Sequence, residues 1–353
     1  MLIPNSQIQG LTKKFTRLCE KTRINFSLIT NADLPNKRSY FSSSLVADFA
    51  SLENIEFKFH SYQSVDNLED VDVIILTAHG GDHSNFILEL KNKYPHLIFA
   101  TWFFDNHLAH ISNYKTAIVS DIYYPSHAYC KDYLMNPYSP FGLHLPSCTA
   151  QWAKYELDFK KTLMRRDRES KIFLNYVDYK FSWRTEILAQ IRKFLPEAHV
   201  QTMLPENRDR YFTLSPAEKY QEWCSYKSTL ILPVDKDLST RVFDALFAGQ
   251  ILIVPTLIED FDSVISKEWQ NELGIIRIQD LNLSTIQFAA QKAFEIFDKR
   301  GVEGLSKRFE FASEKHMFKN RIETILKNIQ LLSSTSKSIK FGSISGSPGL
   351  YVE

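Results

Sequence analysis

A chain of 353 residues, 44% of them hydrophobic, is long enough for about two domains with a core each. Its 42 basic and 41 acidic residues balance, which excludes the electrostatic footprint of a nucleic-acid-binding protein. The four cysteines, Cys19, Cys130, Cys148 and Cys224, lie far apart with no C-x-x-C pair and read as reduced structural thiols. The opening M-L-I-P-N-S-Q lacks the basic and apolar regions of a signal peptide, and no apolar run approaches the roughly 18 residues that span a bilayer. A cytoplasmic location is the expectation.

In chain order, the amino-terminal half offers strand patterns at Ile24 to Thr30, Ile55 to His60, Val71 to His79, Leu97 to Asp105 and Thr116 to Asp121. Helical patterns, among them Asn85 to Lys93 and His127 to Leu134, separate several of these. Such alternation predicts a largely parallel sheet covered by helices. Turn residues at Pro137, Pro140, Gly142 and Pro146 then give way to a basic piece with Lys160, Lys161, Arg165 and Arg166. That change marks a linker. The basic cluster reads first as a solvated helix face and second as a contact for anionic lipid, peripheral at the inner face of a membrane, or for a phosphorylated carrier.

The second half repeats the plan, with strands at Lys171 to Val177, His199 to Leu204 and Ile275 to Ile278. Between them, Ser228 to Pro255 reads as a buried strand, a polar turn D-K-D-L-S-T, a helix opening at Ser239 or Thr240, a stop at Gly249 and a second strand. The expected domains are 1–150, a linker 151–170, 171–330, and a polar, flexible tail 331–353. The fold class is α/β, two Rossmann-like doubly wound domains facing a cleft.

A loop at the carboxyl end of a parallel strand, feeding a helix amino terminus, favours phosphorylated ligands, because unpaired N–H groups and the helix dipole both attract negative charge. Here that loop carries Ser239, Thr240, Arg241 and, one turn on, Asp244. An arginine offers a planar fork to phosphate, and a carboxylate accepts from a ribose hydroxyl pair. The run Arg241, Phe243, Asp244, Ala245, Leu246 and Gly249 resembles the R-x-F-E-A-L-x-x-G segment of GT-B glycosyltransferases, with the spore-maturation (CgeB-type) family as the nearest likeness. Asp244 stands where that family has a glutamate, one methylene longer. Residues Glu314 to Ile329, with His316, Phe318 and Arg321, resemble the E-H-x-x-x-x-R ending of the same family; for His316 capping and packing is the first reading.

The resemblance implies a nucleotide-sugar donor on the second domain, with Thr240 near the diphosphate, Arg241 neutralising its charge and Asp244 on the ribose. It puts the acceptor, and any catalytic base, on the first. Two loops there follow strands: H-G-G-D-H (His79 to His83) and F-D-N-H (Phe104 to His107). Asp82, Asp105 and His107 are the base candidates, each weighed against helix capping. Trp102, Phe103, Tyr123 and Tyr124 could stack on acceptor sugars or fill the core.

Several alternatives lack their signature. No G-x-G-x-x-G follows a strand, and neither a G-x-S-x-G elbow nor a Walker A sequence occurs. The ten histidines show no metal-ligand spacing. D-x-D occurs at Asp70 to Asp72, Asp235 to Asp237 and Asp260 to Asp262, and only the second lies in the donor loop. The expected activity is transfer of a sugar from a nucleotide-sugar donor to a hydroxyl of a glycan or surface polysaccharide, with no cofactor and no metal. A sugar-nucleotide epimerase and a non-catalytic scaffold of surface-polymer assembly are the competing readings.

Overall fold

The computed structural model describes residues 5–30, 55–62, 65–105, 109–130, 144–149, 152, 164, 167–177, 179, 182–203, 214–334, 339–344 and 347–352, a few of them by backbone alone. The chain forms two compact units. The first takes the amino-terminal part through Pro146 and the chain from Arg321 onward; the second is essentially Ser147–Asn320.

The first unit opens with helix α1 (Asn5–Cys19). Five parallel strands follow: β1 (Ile24–Thr30), β2 (Ile55–Ser61), β3 (Val73–His79), β4 (Ile98–Asp105) and β5 (Ile122–Pro125). Their spatial order is β2-β1-β3-β4-β5. Helices α2 (Ser84–Lys93) and α3 (His110–Val119) make the crossovers around β4. Ile74 and Leu76 pack with Ile29, Phe99 and Ile87 of α2, a continuous apolar layer of the kind a sheet covered on both faces requires. The foot of this unit is polar: the Asp121 carboxylate accepts from Lys91 Nζ at 2.8 Å and from the Phe99 N–H at 2.8 Å, with Lys14 Nζ at 3.4 Å. Burial would raise the Asp121 pKa, but the Lys91 and Lys14 ammonium groups and the Phe99 N–H outweigh it and hold the carboxyl below its ordinary range.

The second unit repeats this winding. Strands β6 (Glu169–Val177), β7 (Ala198–Met203), β8 (Tyr226–Leu230), β9 (Ile251–Pro255) and β10 (Ile276–Ile278) lie parallel in the order β7-β6-β8-β9-β10. Renumbered from its own first strand, that is the order of the first sheet. Helices α4 (Trp183–Phe194), α5 (Pro216–Trp223), α6 (Thr240–Phe247), α7 (Phe261–Val264) and α8 (Lys267–Leu273) occur in that chain order, followed by the long α9 (Leu283–Lys315), which breaks at Gly301. Alternate strand residues serve opposite faces: Phe173, Leu252 and Val254 pack against α5 and α6, while Ile172, Leu174, Ile251 and Ile253 pack against α4 and α9.

The helix starts are written locally. Ser182 caps α4 by accepting from Arg184 N, with Glu186 in the first turn and Arg192 and Lys193 in the last. Ser215, Pro216 and Glu218 give α5 a complete capping box. Helix α6 is capped by Ser239, buried along Val242 to Phe247, and released at Gly249, whose φ of +71° lets the chain turn into β9.

Two expectations need correction. T-A-I-V-S-D does not form a strand: Thr116 to Val119 are the end of α3, and the strand follows at Ile122–Pro125. Four apolar or β-branched residues fit either period, and the buried Asn113, Thr116 and Ala117 place the helical face against the unit. The polar stretch after Ile329 is also not without structure. Helix α10 (Phe318–Ser334) runs through it, and β11 (Ile339–Ile344) pairs antiparallel with β12 (Ser347–Val352), setting Ile339 opposite Val352 and Phe341 opposite Leu350. Of the expected helix at His127 to Leu134, residues 128–130 are helical and 131 onward lie outside the described residues, as does most of the expected linker.

Candidate active site

In each sheet the winding reverses between the first and third strands, and an open α/β sheet collects ligands at the carboxyl ends of strands at such a switch point. In the second unit this is where β6 and β8 end. Tyr176, buried on β6, donates its hydroxyl proton to Leu230 O at 2.8 Å and accepts from Leu232 N at 2.8 Å. Its ring is therefore fixed where the two strands stop.

Two guanidinium groups sit on that ring. Arg184, in the first turn of α4, lies 4.9 Å from the Tyr176 centroid and donates to Val177 O at 2.9 Å and Leu232 O at 3.5 Å. Arg241, in the first turn of α6, lies 4.4 Å from the same centroid and donates through Nε to Asn175 O at 2.5 Å. Neither has an ion-pair partner among the described residues. Burial, and then the Arg241 charge, push the Arg184 pKa down. Two like charges near one ring and next to a helix amino terminus make a local field that favours an anion, partly offset by the Asp237 carboxylate, whose charge acts on both Arg184 and Tyr176. The loop beneath is rigid: Asp237 Oδ1 accepts from Val234 N at 2.6 Å and Asp235 N at 3.2 Å, and Trp183 Nε1 donates to Val234 O at 2.7 Å.

Ser239, Thr240 and Arg241 thus come together at one helix start. Ser239 is the N-cap, its Oγ accepting from Arg241 N at 3.3 Å. Asp244 is not with them on an open face. It is fully buried, and its Oδ1 accepts from Thr149 Oγ1 at 2.6 Å inside the unit. The ribose contact expected of this carboxylate has no exposed surface to work through; one turn along α6 points it into the core rather than toward the strand ends. His316 ends α9, stacks on Phe243 at 4.5 Å and accepts from Thr149 N through its carbonyl, the packing role anticipated for it.

In the first unit the loops H-G-G-D-H and F-D-N-H leave adjacent strand ends, since His79 is in register with Asp105. Asp82 is exposed and engaged: its Oδ1 accepts from Ser84 N at 3.0 Å and Ser84 Oγ at 2.6 Å, and Lys115 Nζ lies 3.4 Å from Oδ2. The Ser84 hydrogen bonds hold its pKa below the ordinary carboxylate value, which makes it a weaker base. Asp105 ends β4, its side chain lying outside the described residues, as does His107 entirely. Trp102, Phe103, Tyr123 and Tyr124 are all core, and burial pushes the Tyr123 hydroxyl up to about 12.

The D-x-D pairs each have local partners. Asp72 accepts from Asn25 N at 3.0 Å and pairs with Lys21; Asp237 caps its own loop; Asp262 pairs with Lys267 at 2.6 Å and Arg277 at 3.1 Å. No group of three metal-ligating side chains comes together among the described residues.

Sequence reasoning did not single out Arg184 or Tyr176. The signal was present: Arg184 follows a capping serine after the strand K-I-F-L-N-Y-V, the same strand–loop–helix position that brought Arg241 forward.

No protein-family model matches the chain, and no curated protein matches it. Solved structures do. The N-terminal domain of Candida albicans trehalose-6-phosphate phosphatase superposes with a TM-score of 0.56 at 9% identity, covering 88% of this chain and 97% of that one. Anabaena Alr3699/HepE, solved with UDP and glucose, gives 0.54 at 6% identity over 88% and 100%. Sucrose-phosphate synthase of Thermosynechococcus elongatus gives 0.52 at 8% over 88% and 100%. These likenesses and the two matching sheets define the class: the chain has the two-domain α/β fold of the GT-B glycosyltransferases.

Proposed function

We propose that this chain is a glycosyltransferase, moving a sugar from a nucleotide-sugar donor to a hydroxyl of a glycan or surface polysaccharide without a divalent metal. The observation that carries the reading is the pair Arg184 and Arg241 on the Tyr176 ring, beside the α6 amino terminus. When the bond to the sugar breaks, negative charge grows on the departing diphosphate. Preorganised cations and N–H groups stabilise that charge without reorganising. In this reading Ser239 holds the first turn of α6, Thr240 contributes its backbone N–H, and Arg184 and Arg241 take the phosphate oxygens. The base is sought in the first unit, where Asp82, Asp105 and His107 were the candidates. The R-x-F-D-A-L-x-x-G run supports a CgeB-type relative, and the UDP and glucose bound to the Anabaena structure fit a nucleotide-sugar donor. A cytoplasmic setting, at the inner face of a membrane, suits a surface-polymer acceptor; among the described residues no helix is long and apolar enough to cross one.

One observation favours a non-catalytic scaffold: Asp244, the carboxylate expected on the ribose, is fully buried. A panel of nucleotide sugars, scored first by thermal shift and then by nucleotide release, separates the readings. A ligand at about 100 times its dissociation constant adds roughly 2.7 kcal/mol. Stabilisation by sugar nucleotides, with nucleotide release on adding acceptor glycans, supports the transferase; stabilisation without release supports the scaffold, and no response refutes both.

A further inference from the structure

The chain has five tryptophans, and four of them pack against another ring. Trp102 meets Phe104, Trp152 meets Trp223, and Trp269 meets Phe311, with centroids 4.8–5.6 Å apart. Trp183 does not. It opens α4, one residue before Arg184, and is half-buried. It packs with neither apolar layer of the second sheet, and among the described residues no ring stacks on it and no cation lies over it.

The one polar atom of this side chain is already engaged. Its Nε1 donates to Val234 O at 2.7 Å, so the indole bridges the loop that leaves β6 and the loop that leaves β8. The second of these is held by Asp237, which accepts from Val234 N at 2.6 Å, and it leads to Ser239 and the start of α6. A hydrogen bond from an indole N–H lies in the ring plane, so it fixes the ring by its edge and leaves the faces unused. Nearby, half-buried Arg241 commits only Nε to the protein among the described residues, which leaves its two terminal amino groups for an anion. A fixed aromatic face beside such donors suits a ligand that carries both a flat ring and a phosphate.

Resting on the nucleotide-sugar reading above, we propose that the Trp183 indole is the stacking platform for the donor's nucleobase, while the arginine pair takes the diphosphate. All of these groups belong to the second unit. The position of Asp244 supports the assignment: with that carboxylate in the core, α6 offers the nucleoside no acidic anchor, and its affinity has to come from another element. Stacking works through the π-face that every base has, so it adds affinity for the nucleoside without selecting among bases.

Calorimetric titration of the full chain with UDP and with inorganic pyrophosphate separates the ring from the anion. Trp183→Leu fills space without a flat face, whereas Trp183→Phe keeps a face; both lose the bond to Val234 O, so that loss cancels between them. UDP should bind Trp183→Leu about 5- to 150-fold more weakly than Trp183→Phe, the size of one base–aromatic stack. Pyrophosphate should bind the two variants equally, which also shows that both are folded. In the parent, UDP should quench tryptophan fluorescence and pyrophosphate should not, and Trp183→Phe should lack that quench. Equal UDP affinity in the two variants overturns the proposal. So does a matching difference for pyrophosphate, which makes Trp183 a support of the anion loop, or a difference seen with UDP-glucose but not UDP, which gives the face to the sugar. A parent that binds pyrophosphate as tightly as UDP refutes the nucleobase platform alone; a parent that binds neither refutes the nucleotide reading beneath it.

Discussion

Replacing Arg241 by alanine tests the anion site most directly, because its effects on binding and on folding are read by separate measurements. On the binding side one charge-assisted contact to the diphosphate is lost, about 1.5–3 kcal/mol. At about 1.4 kcal/mol per tenfold, the dissociation constant should rise roughly 10- to 150-fold. On the folding side the variant loses one hydrogen bond, to Asn175 O at 2.5 Å, and a ring contact at 4.4 Å. Those contribute about 1.5–3 and 0.5–1 kcal/mol respectively, less what partial exposure of the guanidinium screens. Part of that loss is offset, since the Arg241 charge is one of the two largest influences depressing the Arg184 pKa and its removal relieves a like-charge pair. The midpoint of thermal unfolding should therefore fall by only a few degrees. Calorimetric titration of the folded variant with UDP gives the affinity and a thermal scan gives the midpoint, each compared with a lysine replacement that keeps the charge but not the planar fork. Parental affinity in Arg241→Ala would remove this residue from the site and leave the paired-cation argument without support.

Three further outcomes follow from particular contacts. The folded-state pKa of Asp121 lies below the unfolded carboxylate value near 3.9, so its stabilisation is complete above that pH and is lost as pH falls through the lower, folded value; urea unfolding from pH 7 to pH 2 should show an acid loss that Asp121→Asn lacks. Thr149→Val removes the 2.6 Å donor to the fully buried Asp244 carboxylate, and should cost about 1.5–3 kcal/mol in the same assay while leaving UDP affinity near the parent's. If cations and helix N–H groups do the work of a metal, turnover should persist in excess chelator; abolition reversed by magnesium or manganese would return attention to Asp235 and Asp237.

Much of this protein was decided locally and was legible as such. The alternation of apolar strands and amphipathic helices gave two parallel sheets, because strands buried on both faces must be apolar throughout and their crossovers must be helical. Ser239 before Thr240 and Gly249 after Phe247 fixed both ends of α6 through hydrogen bonding and backbone freedom, properties of a few consecutive residues. Thr116 to Asp121 was ambiguous for the same reason: six residues do not separate the two periods, and only packing against the first unit made their beginning the end of a helix.

The site depended on what no single segment contains. Arg184 and Arg241 stand far apart in the chain and meet because β6 and β8 are neighbours that end together over Tyr176. Asp244 has the residue type and the spacing of a ligand carboxylate, yet the rotation of α6 turns it onto Thr149 in the core. Asp82 and His83 are adjacent, and sequence ranks the carboxylate first. In the folded unit Ser84 engages Asp82, while Tyr62, just past the end of β2, stacks on the His83 ring. Chain-local chemistry set which elements form; the meeting of distant strand ends set which side chains are left with unsatisfied charge or hydrogen bonds, and those are the groups a ligand can use.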